Sequence, residues 1–299
     1  MNYISKNKIP ISCLCSIYKY TKSNEFLLSI KSLLLQKYIP SEIIIMIDGP
    51  INNKLQKNLD CLLKKYPNLI RRKVLNKNFG LGSSLREGIK LCKNELIARF
   101  DTDDINLKDR LVEQYQYFKN DRELIILGSY IKEFNYLKNN KIFSRIKKVP
   151  LLNESIYKFL NKRNPINHPT VMFRKSSILK AGSYSDMDYF EDYYLWLRCK
   201  KMNYKFLNIA TPLVAMKRKD NLDRRHGLIY AYKEILFLKS CFKENIISTN
   251  YIFIFRLIIR LLPKFLSELI LKFDRSRKTW QFDYELGDYV KNIKDQKIF

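Results

Sequence analysis

Two short acidic runs are the residues of this chain whose types and spacing could do chemistry. The first comprises Asp101, Asp103 and Asp104, three carboxylates within four consecutive positions directly after an apolar run. Carboxylates this close repel one another unless a cation neutralises them, and an all-oxygen ligand set favours Mg²⁺ or Mn²⁺ over zinc. The alternative is a solvated loop or a helix N-terminus, with Asp104 and Asp109 complementing a helix that begins near Asn106.

The second acidic run is the pair Glu191 and Asp192, embedded in the aromatic segment YFEDYYLW at residues 189–196. Apolar and aromatic walls raise the pKa of a carboxyl group and make its carboxylate a stronger base. The alternative is a structural pair at the N-terminus of a helix, where acidic side chains interact favourably with the helix dipole. The pair alone does not decide between these two interpretations.

Two further segments stand out by composition. Residues 78–84 (NFGLGSS) precede a predicted helix, but they lack the lysine of a P-loop and the third glycine of a dinucleotide-binding loop. Taken alone they predict a turn. His168, one of only 2 histidines, stands in the segment NHPT at residues 167–170, where a histidine is more often a hydrogen-bonding spacer than a catalyst.

Alternating strands and helices must position these residues. From residue 9 to about residue 209, short β-branched runs alternate with longer amphipathic ones, which indicates an α/β fold with a mixed, mostly parallel sheet. Ligands bind beyond the carboxyl ends of the strands in such sheets, so Asp48 and Asp101, which follow the second and fourth strands, are expected to share a site. The predicted strands are residues 11–16, 42–47, 70–74, 96–100 and 170–174, and the predicted helices are residues 24–36, 53–65 and 82–91.

Five segments together resemble the motifs of family 2 glycosyltransferases, in the same order and spacing. They are Asp48, NFGLG at 78–82, ARFDTDD at 98–104, NPINHPTVMF at 164–173 and EDYYLW at 191–196. The resemblance covers roughly residues 8–230 and is greatest to enzymes that build bacterial exopolysaccharide, capsule or lipopolysaccharide. It implies a GT-A fold and an inverting transfer of a sugar from a nucleotide-sugar donor, with UDP as the expected nucleotide, to a polysaccharide or polyprenyl-diphosphate-linked acceptor.

The resemblance also implies a role for each acidic residue. Asp48 would hydrogen-bond the nucleobase, and Asp101 would lie against the ribose. Asp103, together with Asp101, would hold Mn²⁺ or Mg²⁺ at the donor diphosphate. Asp192 would be the catalytic base, supported by Glu191.

The remaining implied site residues line the same cleft. The donor would be contacted by Ser16, Tyr18, Arg86, Arg224 and Arg225, and the acceptor side would include His168 and Trp196. The chain departs from many relatives in the helix after the glycine-containing loop, where Leu85 and Arg86 replace Arg-Asn. A solvated basic turn is the alternative interpretation of residues 224–225.

The chain is predicted to divide into a catalytic domain at residues 1–220 and a basic, mainly helical extension at 221–299, whose last dozen residues form a loosely ordered polar tail. Residues 251–273 are apolar except for charges at positions 256, 260, 264, 268 and 272. These charges trace one stripe on a helix and are too many for an ordinary lipid-facing span. The stripe predicts a helix lying on an anionic membrane surface, and packing against the protein itself or a partner is the alternative.

Composition limits the other function classes. The chain has 56 Lys and Arg against 29 Asp and Glu, a net charge of +27, which suits a polyanionic partner or surface. A nucleic-acid-binding protein would explain the charge, but no helix-turn-helix, zinc-finger or RNP-type sequence supports it. A sugar-phosphate nucleotidyltransferase should have a glycine-rich loop near its N-terminus, and residues 11–21 contain no glycine. Six scattered cysteines and a polar N-terminus predict a cytoplasmic protein. The lipid-linked acceptor that the resemblance implies would place it at the inner face of the plasma membrane, as a peripheral protein.

Overall fold

A mixed β-sheet with helices on both faces organises the fold. A computed structural model describes residues 7–136, 141–218, 227–247, 251–262 and 280–296. The strands are β1 (Lys8–Ile17), β2 (Ile39–Asp48), β3 (Ile70–Leu75), β4 (Leu96–Arg99), β5 (Ile105–Asn106), β6 (Leu124–Tyr136), β7 (Ile142–Lys147), β8 (Met172–Arg174), β9 (Lys205–Lys217) and β10 (Gln281–Phe282).

The helices alternate with these strands along most of the chain. They are α1 (Ser23–Leu34), α2 (Asn53–Lys65), α3 (Leu81–Leu91), α4 (Arg110–Asn120), α5 (Asn153–Leu160), α6 (Lys175–Lys180), α7 (Glu191–Lys201), α8 (Leu228–Lys243), α9 (Tyr251–Leu261) and α10 (Tyr284–Asp295). A short 3-10 turn at His168–Thr170 precedes β8.

The N-terminal half of the sheet is parallel. β1 pairs with β2 on one side and with β4 on the other, and β3 lies outside β2, all in parallel register. β1 and β2 are buried on both faces, which explains their nearly continuous apolar runs. Because these strands are parallel, their carboxyl ends meet at one edge of the sheet.

The second half of the sheet is mixed. β8 runs antiparallel to β4 and to β6, which pairs in turn with β7. The long strand β9 runs parallel to β6 and ends beside β5. This pairing changes one sequence-based interpretation, because residues 105–106 form a strand with β9 and the helix considered near Asn106 begins at Arg110.

Two apolar layers cover the sheet. Leu55 and Leu59 of α2 lie in the core on one face, whereas Ile89 of α3 and Trp196 of α7 lie in the core on the other. α2 spans the predicted residues 53–65, and its start is set by Asn52, whose side chain accepts a hydrogen bond from the backbone of the first turn. The helix α7, which carries the second acidic run, therefore packs on the same face of the sheet as α3.

The C-terminal residues return to the sheet. β10 pairs antiparallel with β7, and in α10 Leu286, Val290 and Ile293 are buried in a third apolar cluster. These three residues are spaced by four and three positions, the spacing of one helix face. The prediction of a loosely ordered tail over the last dozen residues is therefore wrong for those that the structure describes.

Candidate active site

The loop after β3 holds the carboxylate of Asp48 at the carboxyl end of β2. The backbone N–H groups of Phe79 and Gly80 donate to Asp48 Oδ1 and Oδ2 at 2.8 and 3.0 Å, and Asn78 Nδ2 donates to Oδ2 at 3.1 Å. Asp48 is buried, and this burial raises its pKa although the two backbone donors lower it. The residue predicted to contact the nucleobase thus also anchors the loop at residues 78–80.

Two glycines allow this close approach. Gly49 has a φ of 82°, and a Cβ there would lie only 2.8 Å from the backbone nitrogen of Asn78. Gly80, with a φ of 86°, directly precedes α3. Both angles fall in the region that glycine adopts without steric cost. The segment 78–82 therefore binds the carboxylate of Asp48 and leads into α3. Its composition alone predicts only a turn.

Asp101 forms a two-point ion pair with Arg99, the last residue of β4. Arg99 Nη1 donates to Asp101 Oδ2 at 2.6 Å, and Arg99 Nη2 donates to Oδ1. The Arg99 side chain is 2% exposed and that of Asp101 is 33% exposed. Burial is the largest single influence and lowers the pKa of Arg99, but the charge and hydrogen bonds of Asp101, together with smaller contributions from Tyr184 and Asp104, raise it above its usual value, so the guanidinium stays positive.

A buried polar network fixes this strand end to the 3-10 turn. Arg110 is fully buried in α4 and donates from Nη2 to the backbone oxygen of Arg99 at 2.6 Å and from Nε to Gln114 Oε1 at 3.1 Å. Gln114 Nε2 donates to the backbone oxygen of Thr170 at 2.8 Å, in the turn that contains His168. Buried and hydrogen-bonded groups of this kind hold neighbouring elements in one arrangement.

The first acidic run has the chemistry of a divalent cation site. Asp101, Asp103 and Asp104 each offer a carboxylate oxygen, and the three oxygens lie within 4.8 Å of one another. Asp104 is buried and Asp103 is partly exposed. An all-oxygen set of this size suits Mg²⁺ or Mn²⁺. Within this set, Arg99 binds both oxygens of Asp101, and Asp103 is partly exposed to solvent.

The second acidic run forms the first turn of α7. Glu191 is buried against α3, where a Cβ at Gly82 would lie 3.1 Å from the Cβ of Glu191. Burial raises the pKa of Glu191, and the adjacent charge of Asp192 raises it further. The surroundings therefore favour the neutral form of Glu191, and the pair resists carrying two negative charges.

Asp192 faces the 3-10 turn at the rim of the same region. Its Oδ2 accepts a hydrogen bond from Asn164 Nδ2 at 2.7 Å and lies 3.9 Å from His168 Nδ1, while its Oδ1 accepts from the backbone N–H of Tyr193 at 2.7 Å. Its side chain is 14% exposed. A carboxylate that is oriented by donors and still reached by solvent has the geometry of a general base.

His168 is held between aromatic side chains. Its Nε2 lies 2.7 Å from the hydroxyl of the buried Tyr184, and its ring meets the edge of Trp196 at a centroid distance of 6.3 Å. Burial lowers the pKa of His168, and the charge of Arg99 lowers it further, so the imidazole is neutral at neutral pH. His168 therefore lies beside Asp192 as a neutral ring, beyond hydrogen-bond distance of its carboxylate.

Arg99 joins the two acidic runs into one site. Burial is the main influence on the pKa values of His168, Tyr184 and Glu191, and the positive charge of Arg99 then lowers all three. The charge of Asp101 also raises the pKa of Glu191. His168, in the turn that the backbone of Arg99 adjoins, lies 3.9 Å from Asp192, so the two runs, far apart in the sequence, line the same region.

Of the remaining predicted donor residues, those that the structure describes lie near the end of β1 and on α3. Ser16 Oγ, near the end of β1, lies 2.8 Å from Ser84 Oγ of α3, and Tyr18 follows as a half-exposed ring. Arg86 Nη1 donates to the backbone oxygen of Tyr184 at 3.5 Å, so its contact is with the loop beside His168. Arg224 and Arg225 lie outside the described residues.

The described part of the helix predicted at residues 251–273 is α9, and its two arginines point toward the protein. Arg256 Nη2 and Arg260 Nε lie 2.5 and 3.4 Å from the carboxylate of Glu234, which is fully buried in α8. In this part, the basic stripe therefore compensates a buried charge. Positions 264, 268 and 272 lie outside the described residues. Over the ranges that the structure covers, no helix is long and apolar enough to cross a bilayer.

Three residues of the site were not assigned a role from the sequence. Arg99 stands in a buried strand, and an arginine in such a run is itself a signal of a buried charge pair. Asn164 belongs to the segment 164–173, but only the structure shows its hydrogen bond to Asp192. Tyr184 lies in a loop after two residues with positive φ, Gly182 and Ser183, and no local pattern marks it.

Comparison with known proteins identifies relatives along most of the chain. A family model described as "Glycosyl transferase family 2" matches residues 17–182. The amylovoran biosynthesis glycosyltransferase AmsE of Erwinia amylovora is 32% identical over 270 residues, which cover 88% of this chain and 98% of that protein. The UDP-Gal:alpha-D-GlcNAc-diphosphoundecaprenol beta-1,3-galactosyltransferase of Escherichia coli is 35% identical over 250 residues, or 82% of this chain and 89% of that protein.

Solved structures share the fold at much lower sequence identity. S. aureus TarS 1–349 in complex with UDP-GlcNAc has a TM-score of 0.56 and 14% identity, over 77% of this chain and 65% of that chain. The mannosyltransferase PcManGT from Pyrobaculum calidifontis, in complex with GDP-Man and Mn²⁺, has a TM-score of 0.57 and 11% identity, over 85% of this chain and 72% of that chain. At these identities the likeness is one of architecture.

Proposed function

The chain belongs to glycosyl transferase family 2, and on that premise we propose that it transfers a sugar from a UDP-sugar to a hydroxyl of a lipid-linked, growing surface polysaccharide. It is a glycosyltransferase of bacterial polysaccharide biosynthesis, and the predicted GT-A fold is confirmed. The proposal concerns the donor, the acceptor, the residues that act on them and the course of the reaction.

The relatives support the substrate classes. The name of the Escherichia coli relative specifies a UDP-sugar donor and an acceptor linked to diphosphoundecaprenol, and that relative aligns over 82% of this chain. The Erwinia relative acts in the synthesis of an exopolysaccharide. A UDP-sugar is also the ligand in one structure of the same fold. We therefore assign a UDP-sugar as donor and a polyprenyl-diphosphate-linked sugar as acceptor.

Asp192 is the proposed general base. Its Oδ2 accepts the proton of the acceptor hydroxyl as that oxygen attacks the anomeric carbon from the face opposite the nucleoside diphosphate. The new glycosidic bond forms as the bond to the diphosphate oxygen breaks, so the anomeric configuration inverts in one displacement. Asn164 holds Oδ2 in place by its hydrogen bond, and a positioned base of this kind is typically worth about 10²–10⁴ in rate.

The first acidic run is the proposed cation site. Asp103 would bind Mn²⁺ or Mg²⁺, with the buried Asp104 next to it. Asp101 would lie against the donor ribose, and Arg99 compensates the charge of Asp101. When bound, the cation supplies positive charge that stabilises the departing diphosphate. Asp48, seated by the loop 78–80, is assigned to the nucleobase, and Ser16, Tyr18 and Arg86 are assigned to the donor walls.

A single observation carries the proposal: the two acidic runs, with different surroundings, both lie beside the 3-10 turn at the carboxyl edge of the sheet. The test is a panel of UDP- and GDP-sugars added with Mn²⁺ to the purified protein, followed by thermal unfolding. A ligand present at about 100 times its Kd stabilises the folded state by about 2.7 kcal/mol, so binding is readily seen. We expect stabilisation by a UDP-sugar that requires the metal.

Transfer is then measured with that donor and a polyprenyl-diphosphate-linked sugar, by the release of UDP and by the anomeric configuration of the product. Asp188→Asn is the matched control, because Asp188 lies near α7 but is largely exposed and pairs with Lys233 at the surface. Absence of stabilisation by every nucleotide sugar would remove the proposal, and retention of configuration would remove the role given to Asp192.

The site of action follows from the acceptor. A polyprenyl chain remains in the bilayer, so we place the enzyme at the cytoplasmic face of the plasma membrane as a peripheral protein. We also propose residues 1–220 as the catalytic domain and residues 221–299 as an extension of it. Part of that extension, β10 and α10, adds to the same sheet and core.

A further inference from the structure

An apolar stripe runs along the outer side of α8. Leu228, Ile229, Tyr232 and Ile235 are 78%, 76%, 58% and 49% exposed, and Leu236 continues the stripe. Their spacing places them along one side of the helix, opposite the buried Tyr230, Glu234, Phe237 and Cys241. Single exposed apolar residues are ordinary, but a contiguous row of them marks an interaction surface.

The neighbouring helix α9 also exposes apolar side chains. Arg260 contributes its backbone oxygen to the N–H of Gly227, and Arg256 reaches Glu234, so the two helices run antiparallel. The arginines of α9 are 18% exposed and turned toward Glu234, whereas Ile258 and Leu261 are 51% and 56% exposed. The α8–α9 hairpin therefore presents apolar groups to solvent and keeps these two arginines inside.

Basic residues border the stripe. Lys239 and Lys243 are exposed near the C-terminal end of α8, and Lys201 is exposed at the end of α7 beside it. An exposed apolar helix face bordered by lysines is the composition of helices that lie in the interface of an anionic bilayer. Each basic residue near such a surface contributes roughly 1 kcal/mol of attraction.

We propose that the α8–α9 hairpin docks this protein on an anionic lipid bilayer, with the apolar stripe of α8 inserted among the headgroups. A second copy of the chain is a poorer occupant, because each copy carries a net charge of +27 and two stripes in contact would bring their lysines together. An anionic bilayer supplies both the apolar phase and the opposite charge. The proposal rests on the lipid-linked acceptor assigned above.

The position of α8 connects this surface to the reaction. Phe237, on the inner side of α8, stacks on Phe190 and Tyr193 at centroid distances of 4.9 and 5.1 Å, on either side of Glu191 and Asp192. A helix with its side chains is about 10–12 Å across. Docking by the outer side of α8 therefore places the bilayer on the opposite side of α8 from α7, the helix that carries the proposed base.

The test is co-sedimentation of the full-length protein with vesicles containing phosphatidylglycerol and with neutral phosphatidylcholine vesicles. The variant is Ile229→Ser with Tyr232→Ser, and the matched control is Leu152→Ser with Tyr284→Ser, which are 68% and 73% exposed elsewhere on the surface. We expect the wild type and the control to bind the anionic vesicles, and the α8 variant to bind about tenfold or more weakly. Equal binding of the two double variants would overturn the proposal.

Two other measurements separate the alternative occupants. If a second copy covers the stripe, light scattering will show a dimer that the α8 variant abolishes, with vesicle binding unchanged. If another segment of this chain covers it, the α8 variant will unfold at a lower temperature and vesicle binding will again be unchanged. Either result overturns the proposal. Vesicle binding that depends on the stripe in a protein that binds no nucleotide sugar would instead reject the proposed function and leave the docking surface intact.

Discussion

The two acidic runs have the same kinds of residue and opposite surroundings. Asp101 lies beside the fully charged Arg99 and is a third exposed, and its run can gather three oxygens around one cation. Glu191 is buried against α3, where no described residue forms such an ion pair with it, and burial raises its pKa. The surroundings of the first run thus stabilise negative charge on its carboxylates, whereas the surroundings of the second run disfavour it. The comparison teaches that the surroundings of a carboxylate, more than its identity, determine whether it suits a metal or a proton.

The most direct way to break this comparison is Asp192→Asn. The amide keeps the shape of the side chain but cannot accept the acceptor proton, so kcat should fall by about 10²–10⁴ while donor binding is kept. Single-turnover transfer and metal-dependent thermal stabilisation by the donor measure the two effects separately. Asp188→Asn should leave both unchanged. Transfer at the wild-type rate in Asp192→Asn would show that the base lies elsewhere.

Asp103→Ala tests the other side of the comparison. Loss of a cation ligand removes charge stabilisation from the departing diphosphate, and we expect kcat/KM to fall by about 10², or about 2.7 kcal/mol. Titration with Mn²⁺ at constant donor should shift to higher concentration in the variant. The exposed residue Asp60 of α2, which pairs with Arg72 of β3, provides the control Asp60→Ala. A Mn²⁺ titration identical to that of the wild type would exclude Asp103 as the ligand.

Asp101→Asn sharpens the comparison by removing the charge that balances Arg99. The buried guanidinium then lacks its counter-charge, and the free energy of unfolding should fall by about 2 kcal/mol, below the usual cost for a fully buried pair because Asp101 is partly exposed. The double variant Arg99→Met with Asp101→Asn removes both charges and should recover part of the loss. Urea denaturation of the four proteins measures the coupling, and additive effects would contradict the pairing.

Glu191→Gln tests the smallest expected effect, a pH dependence of stability. A carboxyl group whose folded pKa is raised binds its proton more tightly in the folded state than in the unfolded state. Stability should therefore fall as pH rises from the ordinary glutamate range, about 4.3, through the raised pKa of Glu191. The glutamine variant should lack this part of the decrease, on the order of 1 kcal/mol, when denaturation is compared from about pH 5 to about pH 9. Parallel pH profiles for the two proteins would show that Glu191 is not strained by burial.

Much of the N-terminal half could be predicted from the sequence. α2 spans the predicted residues because an amphipathic run begins directly after Asn52, a good capping residue, and β1, β2 and β4 were recognised from short apolar runs. Asp48, Asp101 and Asp192 stand at element ends that local patterns reveal. Their arrangement around one site depends on the order of the strands in the sheet, which such patterns suggest only through general topology rules.

The rest depends on contacts between distant segments. The pairing of β5 with β9 sets where α4 begins, and no local signal near Asn106 indicates it. Periodicity places Arg256 and Arg260 on one side of a helix but does not state what that side touches, so the buried Glu234 was not foreseen. Tyr184 has a role only because the loop after α6 returns it to His168.

The return of residues 281–295 to the sheet has a consequence for folding during synthesis. β10 covers the edge of β7, and α10 completes an apolar cluster with Ile105, Phe134 and Ala215. On the ribosome these residues emerge after all the others that the cluster contains, at about 5–20 residues per second. Until then the nascent chain exposes an unpaired strand edge and an open apolar surface, both of which attract other chains. Slow translation through this last stretch therefore prolongs the interval in which chaperones must protect the growing polypeptide.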